Sequence, residues 1–411
     1  MRLMPARAAL SALAALGAFP AMPAAADAVS YSGHIGSLPV IVELTTSGGI
    51  TPQVGRYAYR SKGVDIPLHL SVHAGGLRIM EESACTEALC RTAGGDLVTE
   101  APIGAEWTLP GAVGDKRLRG TWRALPNGRT LQIDLQLRAR RAEGDGSRDP
   151  FEALTGSAPD PAADDTADPV VSTAERPYDF LRMEIAFDRG PELPFGDGVI
   201  RMDTDPRNGL DYPVIVSLAG ADPAPLNAYL AQQRLQAEAP AFACAATAYL
   251  GFGWSGSPSD GSDGFDGNWS VRPEHLTSRL MGFAESGSYF CAGAYPDNFT
   301  RDHLVDAVTG RPIDADRLLA GWNGDAAGPD LSAYVNARRD RSDSQREADC
   351  GLDDLVRTHL GVYFRQHSLV FTLKDLPHAI FACTDDLLEI PLSQARPLLT
   401  DAGAAYFAAF D

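Results

Sequence analysis

The sequence predicts an α+β chain in two units: an N-terminal all-β small barrel or sandwich, then an α+β unit of mainly antiparallel sheet with packed helices. Three observations predict it. Leu131, Ile133, Leu135 and Leu137 alternate with Gln132, Asp134, Gln136 and Arg138, the period of two of a strand with one wet face. Asp222-Pro223 is a helix start, and Leu226, Tyr229 and Leu230 then fall on one helical face. Between these signals, residues 142–176 hold nine acids and two arginines among Ala, Pro and Gly, a net of −7. Such a composition buries too little apolar surface to offset the entropy of ordering and reads as a linker.

In chain order, residues 1–26 read as an export signal. Arg2 and Arg7 precede an apolar run over 8–22, and Ala24-Ala25-Ala26 supplies an A-x-A cleavage site. The expected mature chain begins at Asp27 and is periplasmic or secreted. No later stretch reaches the roughly 18 apolar residues of a membrane span. Residues 27–141 form the all-β unit, with short strand-like runs at 39–44, 55–60, 66–73 and 77–82. Leu118, Gly120 and Trp122 supply a partner to 131–138 across the Pro126-Asn127-Gly128 turn, which makes a hairpin. Residues 177–411 form the mixed unit: helices over 223–237, 331–339 and 352–360, and strands near 212–218, 269–271, 276–283, 289–293, 303–307 and 368–373.

The charge is unevenly placed. The chain of 411 residues carries 35 Lys and Arg against 54 Asp and Glu, net −19, and its only lysines are Lys62, Lys116 and Lys374. That balance argues against a nucleic-acid partner, which needs clustered cations. Residues 27–141 hold 13 basic and 11 acidic side chains, net +2; residues 177–411 hold 18 and 34, net −16. The acidity belongs to the linker and the second unit.

Six cysteines, Cys85, Cys90, Cys244, Cys291, Cys350 and Cys383, in an exported chain point to disulfides. Proximity pairs Cys85 with Cys90. Succession along the chain favours Cys244 with Cys291 and Cys350 with Cys383. A zinc site is disfavoured, because no CxxC occurs and no His stands at ligand spacing from the thiols. His69 and His73 share one side of a strand but lie about 13 Å apart, too far for one metal. No HExxH or GxSxG occurs. No cofactor is expected.

From Cys291 the residues take a more particular form. Cys291-Ala292-Gly293-Ala294-Tyr295-Pro296, followed by Asp306-Ala307-Val308-Thr309-Gly310-Arg311, resembles the extracellular domain shared by the peptidoglycan deacetylase PdaC and the anti-sigma factor RsiV. There a Gly-Ala-His-Pro turn leads through a strand to an Asp-x-x-Thr-Gly-Lys turn and a short helix, placed here at 316–319. Residues 364–373 and 388–392 are similar to that domain's closing strands, so the likeness spans roughly 205–400. Tyr295 replaces the family's His. The resemblance implies a non-catalytic extracytoplasmic module, lysozyme being what it binds in the anti-sigma factor. Deacetylation is not inherited, since the separate enzyme domain and its metal ligands are absent from this sequence.

Binding candidates cluster near the middle of the second unit. Asp260, Asp263 and Asp266 stand three apart in a Gly-rich loop, an oxygen density suited to calcium but off the alternate-position register of a calcium loop. Trp254 and Trp269 flank that loop, suited to stacking on a sugar, to anchoring a partner or to packing in a core. Together with Tyr295 they are the expected binding residues. The leading expectation is an exported binding protein for a basic extracellular protein such as lysozyme, or for cell-wall glycan. The alternative is a cell-wall or polysaccharide-acting enzyme using paired carboxylates, for example among the same aspartates.

Overall fold

The computed structural model describes residues 27–47, 51–142, 176–254, 269–289, 297–324, 326–374 and 376–407. The chain is mostly antiparallel strands with helices, and its N-terminal unit is a closed eight-stranded barrel. The strands are β1 (Asp27–Ile35), β2 (Leu38–Ser47), β3 (Thr51–Tyr59), β4 (Ile66–His73), β5 (Gly76–Glu82), β6 (Ile103–Pro110), β7 (Arg117–Ala124) and β8 (Thr130–Ala142). Each pairs antiparallel with the next, and β8 closes onto β1 from Asp27↔Ala142 to Ile35↔Ile133. Closure removes the exposed edges that an open sheet would leave.

Alternate residues fill the barrel: Val29, Tyr31, Val40, Val42, Tyr57, Leu68, Ile79, Trp107, Leu118, Ile133 and Leu135 form one buried core. Trp107 meets Tyr57 edge-on at 5.0 Å between ring centroids. The hairpin at Pro126-Asn127-Gly128 forms as its sequence predicts, with Gly128 at φ +69° and Asn127 Oδ1 accepting from the Arg129 amide at 3.0 Å. Strands β1 and β6 are additions to the sequence reading, although β6 carries a clear alternation of Ile103, Ala105, Trp107 and Leu109.

The second unit opens with a helix, Pro177–Met183, that packs back on β1, β2 and β8. Strands β9 (Asp188–Arg189), β10 (Leu193–Phe195), β11 (Gly198–Thr204) and β12 (Asp211–Leu218) make one sheet. A helix, Ala224–Ala246, lies against β12, where the Asn227 side chain bonds both the amide and the carbonyl of Ile215 at 2.8 Å. Asp222 Oδ1 accepts from the Ala224 amide at 3.0 Å, and Pro223 takes the cap position, so the helix starts one residue later than expected. It also runs past 237 to Ala246 despite Pro240, a residue that ordinarily ends a helix.

A second sheet contains β13 (Ser270–Leu276), β14 (Leu280–Tyr289), β15 (Asp297–Asp306) and β16 (Arg311–Pro312). The strand expected over 276–283 is instead a hairpin. Thr277 Oγ1 accepts from the Arg279 and Leu280 amides and turns the chain, so Leu276 pairs with Met281. Of the strand expected at 289–293, only Tyr289 lies among the described residues, as the end of β14. A short hairpin of β17 (Trp322–Asn323) and β18 (Ala326–Ala327) precedes helices Pro329–Asn336, Ser344–Cys350 and Leu352–Thr358. A last sheet follows, of β19 (Leu360–Arg365), β20 (Ser368–Leu373) and β21 (Asp386–Pro391).

Disulfides Cys85–Cys90 and Cys350–Cys383 form as paired by proximity and succession. Cys244 is disulfide-bonded, and Cys291 lies outside the described residues. Among the described residues no helix is long and apolar enough to cross a membrane.

Candidate functional site

Trp254 is 3 % exposed. It packs with Leu250 on the Cys85–Cys90 disulfide, with the Arg91 guanidinium 5.1 Å from its ring centroid. Its ring therefore faces the protein and not a partner, which is the core-packing reading of that residue. Trp269 meets Phe299 edge-on at 4.9 Å and joins the core under β12 and β14. The structure does not bring these two indoles into one cluster: Trp254 sits against the barrel's disulfide loop and Trp269 in the second unit's core. Asp260, Asp263, Asp266 and Tyr295 lie outside the described residues. The Asp306-x-x-Thr309-Gly310 segment is a tight turn between β15 and β16. Asp306 Oδ1 accepts from the Val308 and Thr309 amides at 3.1 and 2.9 Å, and Gly310 has φ +66°.

Two features outside the sequence candidates carry the strongest chemistry. The first lies at one end of the barrel. Glu81 occupies an inward-facing position of β5, with Leu77 and Ile79 before it on the same side. Trp107 Nε1 and Trp122 Nε1 both donate to its Oε2, at 2.8 and 2.7 Å. Burial pushes this carboxyl up, the two indoles and the Tyr57 hydroxyl opposing. Tyr59 and Tyr249 also lie within reach of its charge, and burial pushes Tyr249 up to about 12. Among the described residues Glu81 enters no ion pair, in contrast to the next residue. Glu82 is bound by His69 Nε2 at 2.6 Å and by the Gly251 amide at 3.0 Å. The Gly251 contact, with the Cys85 amide on the Ala248 carbonyl at 2.8 Å, sets the segment after the long helix against this end of the barrel.

The second feature is the joint between the units. On the outer barrel wall Arg56 reaches Glu43 at 3.0 Å, Asp65 at 3.1 Å and Asp179 at 3.4 Å, all four side chains being buried. Arg182 meets Asp179 at 2.9 Å and Asp65 at 3.0 Å, and the Tyr178 hydroxyl donates to Asp65 at 2.5 Å. Burial alone would raise the Asp179 carboxyl; the Arg56 and Arg182 guanidinia override it and hold the group well below the carboxylate range. Farther along the long helix, Glu238 is fully buried, neither of its oxygens is hydrogen bonded, and Arg234 Nε lies 3.7 Å away. Burial pushes this carboxyl up to about 8.

Composition flagged neither feature, because the lone glutamates and arginines involved are unremarkable until the fold assembles them. One signal was available: Glu81 breaks the apolar inward series of its strand. Among the described residues no group of three or more His, Cys, Asp or Glu is placed to hold a metal. Asp188, Asp314, Asp316 and Asp330 on the second unit's surface are exposed and enter no ion pair among the described residues. No protein-family model and no curated protein sequence matches this chain.

Proposed function

We propose that this chain is an exported binding protein of the bacterial envelope, periplasmic or secreted, whose acidic second unit docks a basic protein such as lysozyme or another basic cell-wall hydrolase. The observation that carries the reading is the charge excess: 34 acidic against 18 basic side chains over 177–411, with a nearly neutral barrel beside it. Such a field steers a cationic partner inward and speeds encounter more than it tightens the complex. The likeness of 205–400 to the PdaC and RsiV extracellular domain supports the same reading, and the two disulfides suit an oxidising compartment. The test is titration of the full chain with c-type and g-type lysozymes at about 20 and about 150 mM salt. Binding that weakens as salt screens the field supports the proposal; no binding at either salt refutes it.

A further inference from the structure

The barrel end around Glu81 has an unusual electrostatic state. A carboxylate only 8 % exposed is normally paired with a cation, because burying an uncompensated charge is costly. Glu81 has three neutral neighbours in that role, the indole N–H groups of Trp107 and Trp122 and the Tyr57 hydroxyl. Both indoles bind Oε2, which leaves Oε1 outside those two bonds. Around the carboxylate stand further hydroxyl oxygens and aromatic surface, from Tyr59 and Tyr249, and these rings with Trp122 are only half-buried. These half-buried rings are the part of the site that meets solvent. The site offers acceptors and ring faces, and among the described residues no cation is bonded to Glu81, although the Arg129 charge reaches Tyr59. Ammonium groups match that set: three N–H donors for a carboxylate and hydroxyls, and a positive charge that aromatic faces attract.

We propose that this end of the barrel, centred on Glu81, binds an organic ammonium group, either a free primary amine or the side chain of a lysine presented by another protein. An eight-stranded closed barrel is an architecture that can hold one small ligand at its mouth. The proposal stands apart from the acidic face of the second unit and does not depend on lysozyme binding.

The test follows tryptophan fluorescence of the full chain during titration with n-butylammonium chloride and, separately, with the tripeptide Gly-Lys-Gly. Sodium chloride at equal ionic strength and n-butanol serve as controls. The expected result is a saturable change with an ammonium probe and none with either control. Glu81→Gln keeps the shape and an oxygen for the indoles, and it should weaken binding by at least about tenfold. Trp122→Phe should weaken it less, since it removes one donor and keeps a ring. A response to butylammonium assigns the site to free amines; a response to the tripeptide alone assigns it to a protein side chain. No saturable response to either probe, or an equal response in Glu81→Gln, overturns the proposal.

Discussion

Replacing Glu238 by glutamine should change how the protein's stability depends on pH, and the structure fixes the sign. The carboxyl is fully buried, lacks hydrogen bonds and is pushed from an ordinary 4.5 up to about 8, chiefly by burial, with Arg234 partly offsetting and Asp205 adding to the rise. Below pH 4.5 both the folded and the unfolded chain hold the proton, so the residue contributes no pH dependence. Between 4.5 and 8 the folded chain keeps a proton that the unfolded chain has lost, so stability falls as pH rises. Above 8 the cost is fully present. Each pH unit corresponds to about 1.4 kcal/mol, so the whole span amounts to about 5 kcal/mol. Glutamine has the same shape and no proton to lose. Urea unfolding of wild type and Glu238→Gln at pH 5, 6, 7 and 8 should therefore give a gap that widens steadily in favour of the variant. Glu81, whose carboxyl is also raised by burial, contributes equally to both proteins and cancels in the difference. Asp179, held low by its arginines, loses its stabilising charge only under more acidic conditions than these. Parallel stability profiles for the two proteins would refute the reasoning.

Two further outcomes test other parts of the fold. Removing the Cys350–Cys383 disulfide, which spans 33 residues, should cost about 4 kcal/mol, and removing Cys85–Cys90, which spans 5, about 2 kcal/mol; denaturation of paired serine variants measures both, and a reversed order would show that loop closure is not the main contribution. In Gly120→Ala the new Cβ would lie 1.9 Å from the Thr108 carbonyl oxygen across β6 and β7. It should destabilise the barrel by about 3 kcal/mol or more and reduce near-ultraviolet circular dichroism from the Trp107 environment, and an unchanged melting curve would contradict the packing described.

Local signals in the sequence carried far. The β7–β8 hairpin, the start of the long helix, β20 over 368–373 and two cysteine pairs were all legible, because each depends on neighbours in the chain. Barrel closure was not, since it joins residues such as Asp27 and Ala142 that no local pattern relates. The docking of Pro177–Met183 was illegible for the same reason: Asp179 and Arg182 gain meaning only opposite Arg56 and Asp65, more than a hundred residues earlier. The Glu81 site combines both cases. Its strand was visible, but the indoles that hold the carboxylate come from two other strands. Trp254 shows the same dependence: its neighbours along the chain left a binding surface and a core both open, and its neighbours in space form a small core.

The ionic joint has a consequence for the integrity of the molecule. The last barrel strand ends at Ala142, and the chain is next described at Arg176, whose helix is already seated on the barrel wall through Asp179 and Arg182. Continuity of the peptide between those points is therefore redundant for holding the halves together. A protease that cut there would yield two fragments still fastened by buried charge, and the nicked protein would travel as one particle until acid or denaturant released it.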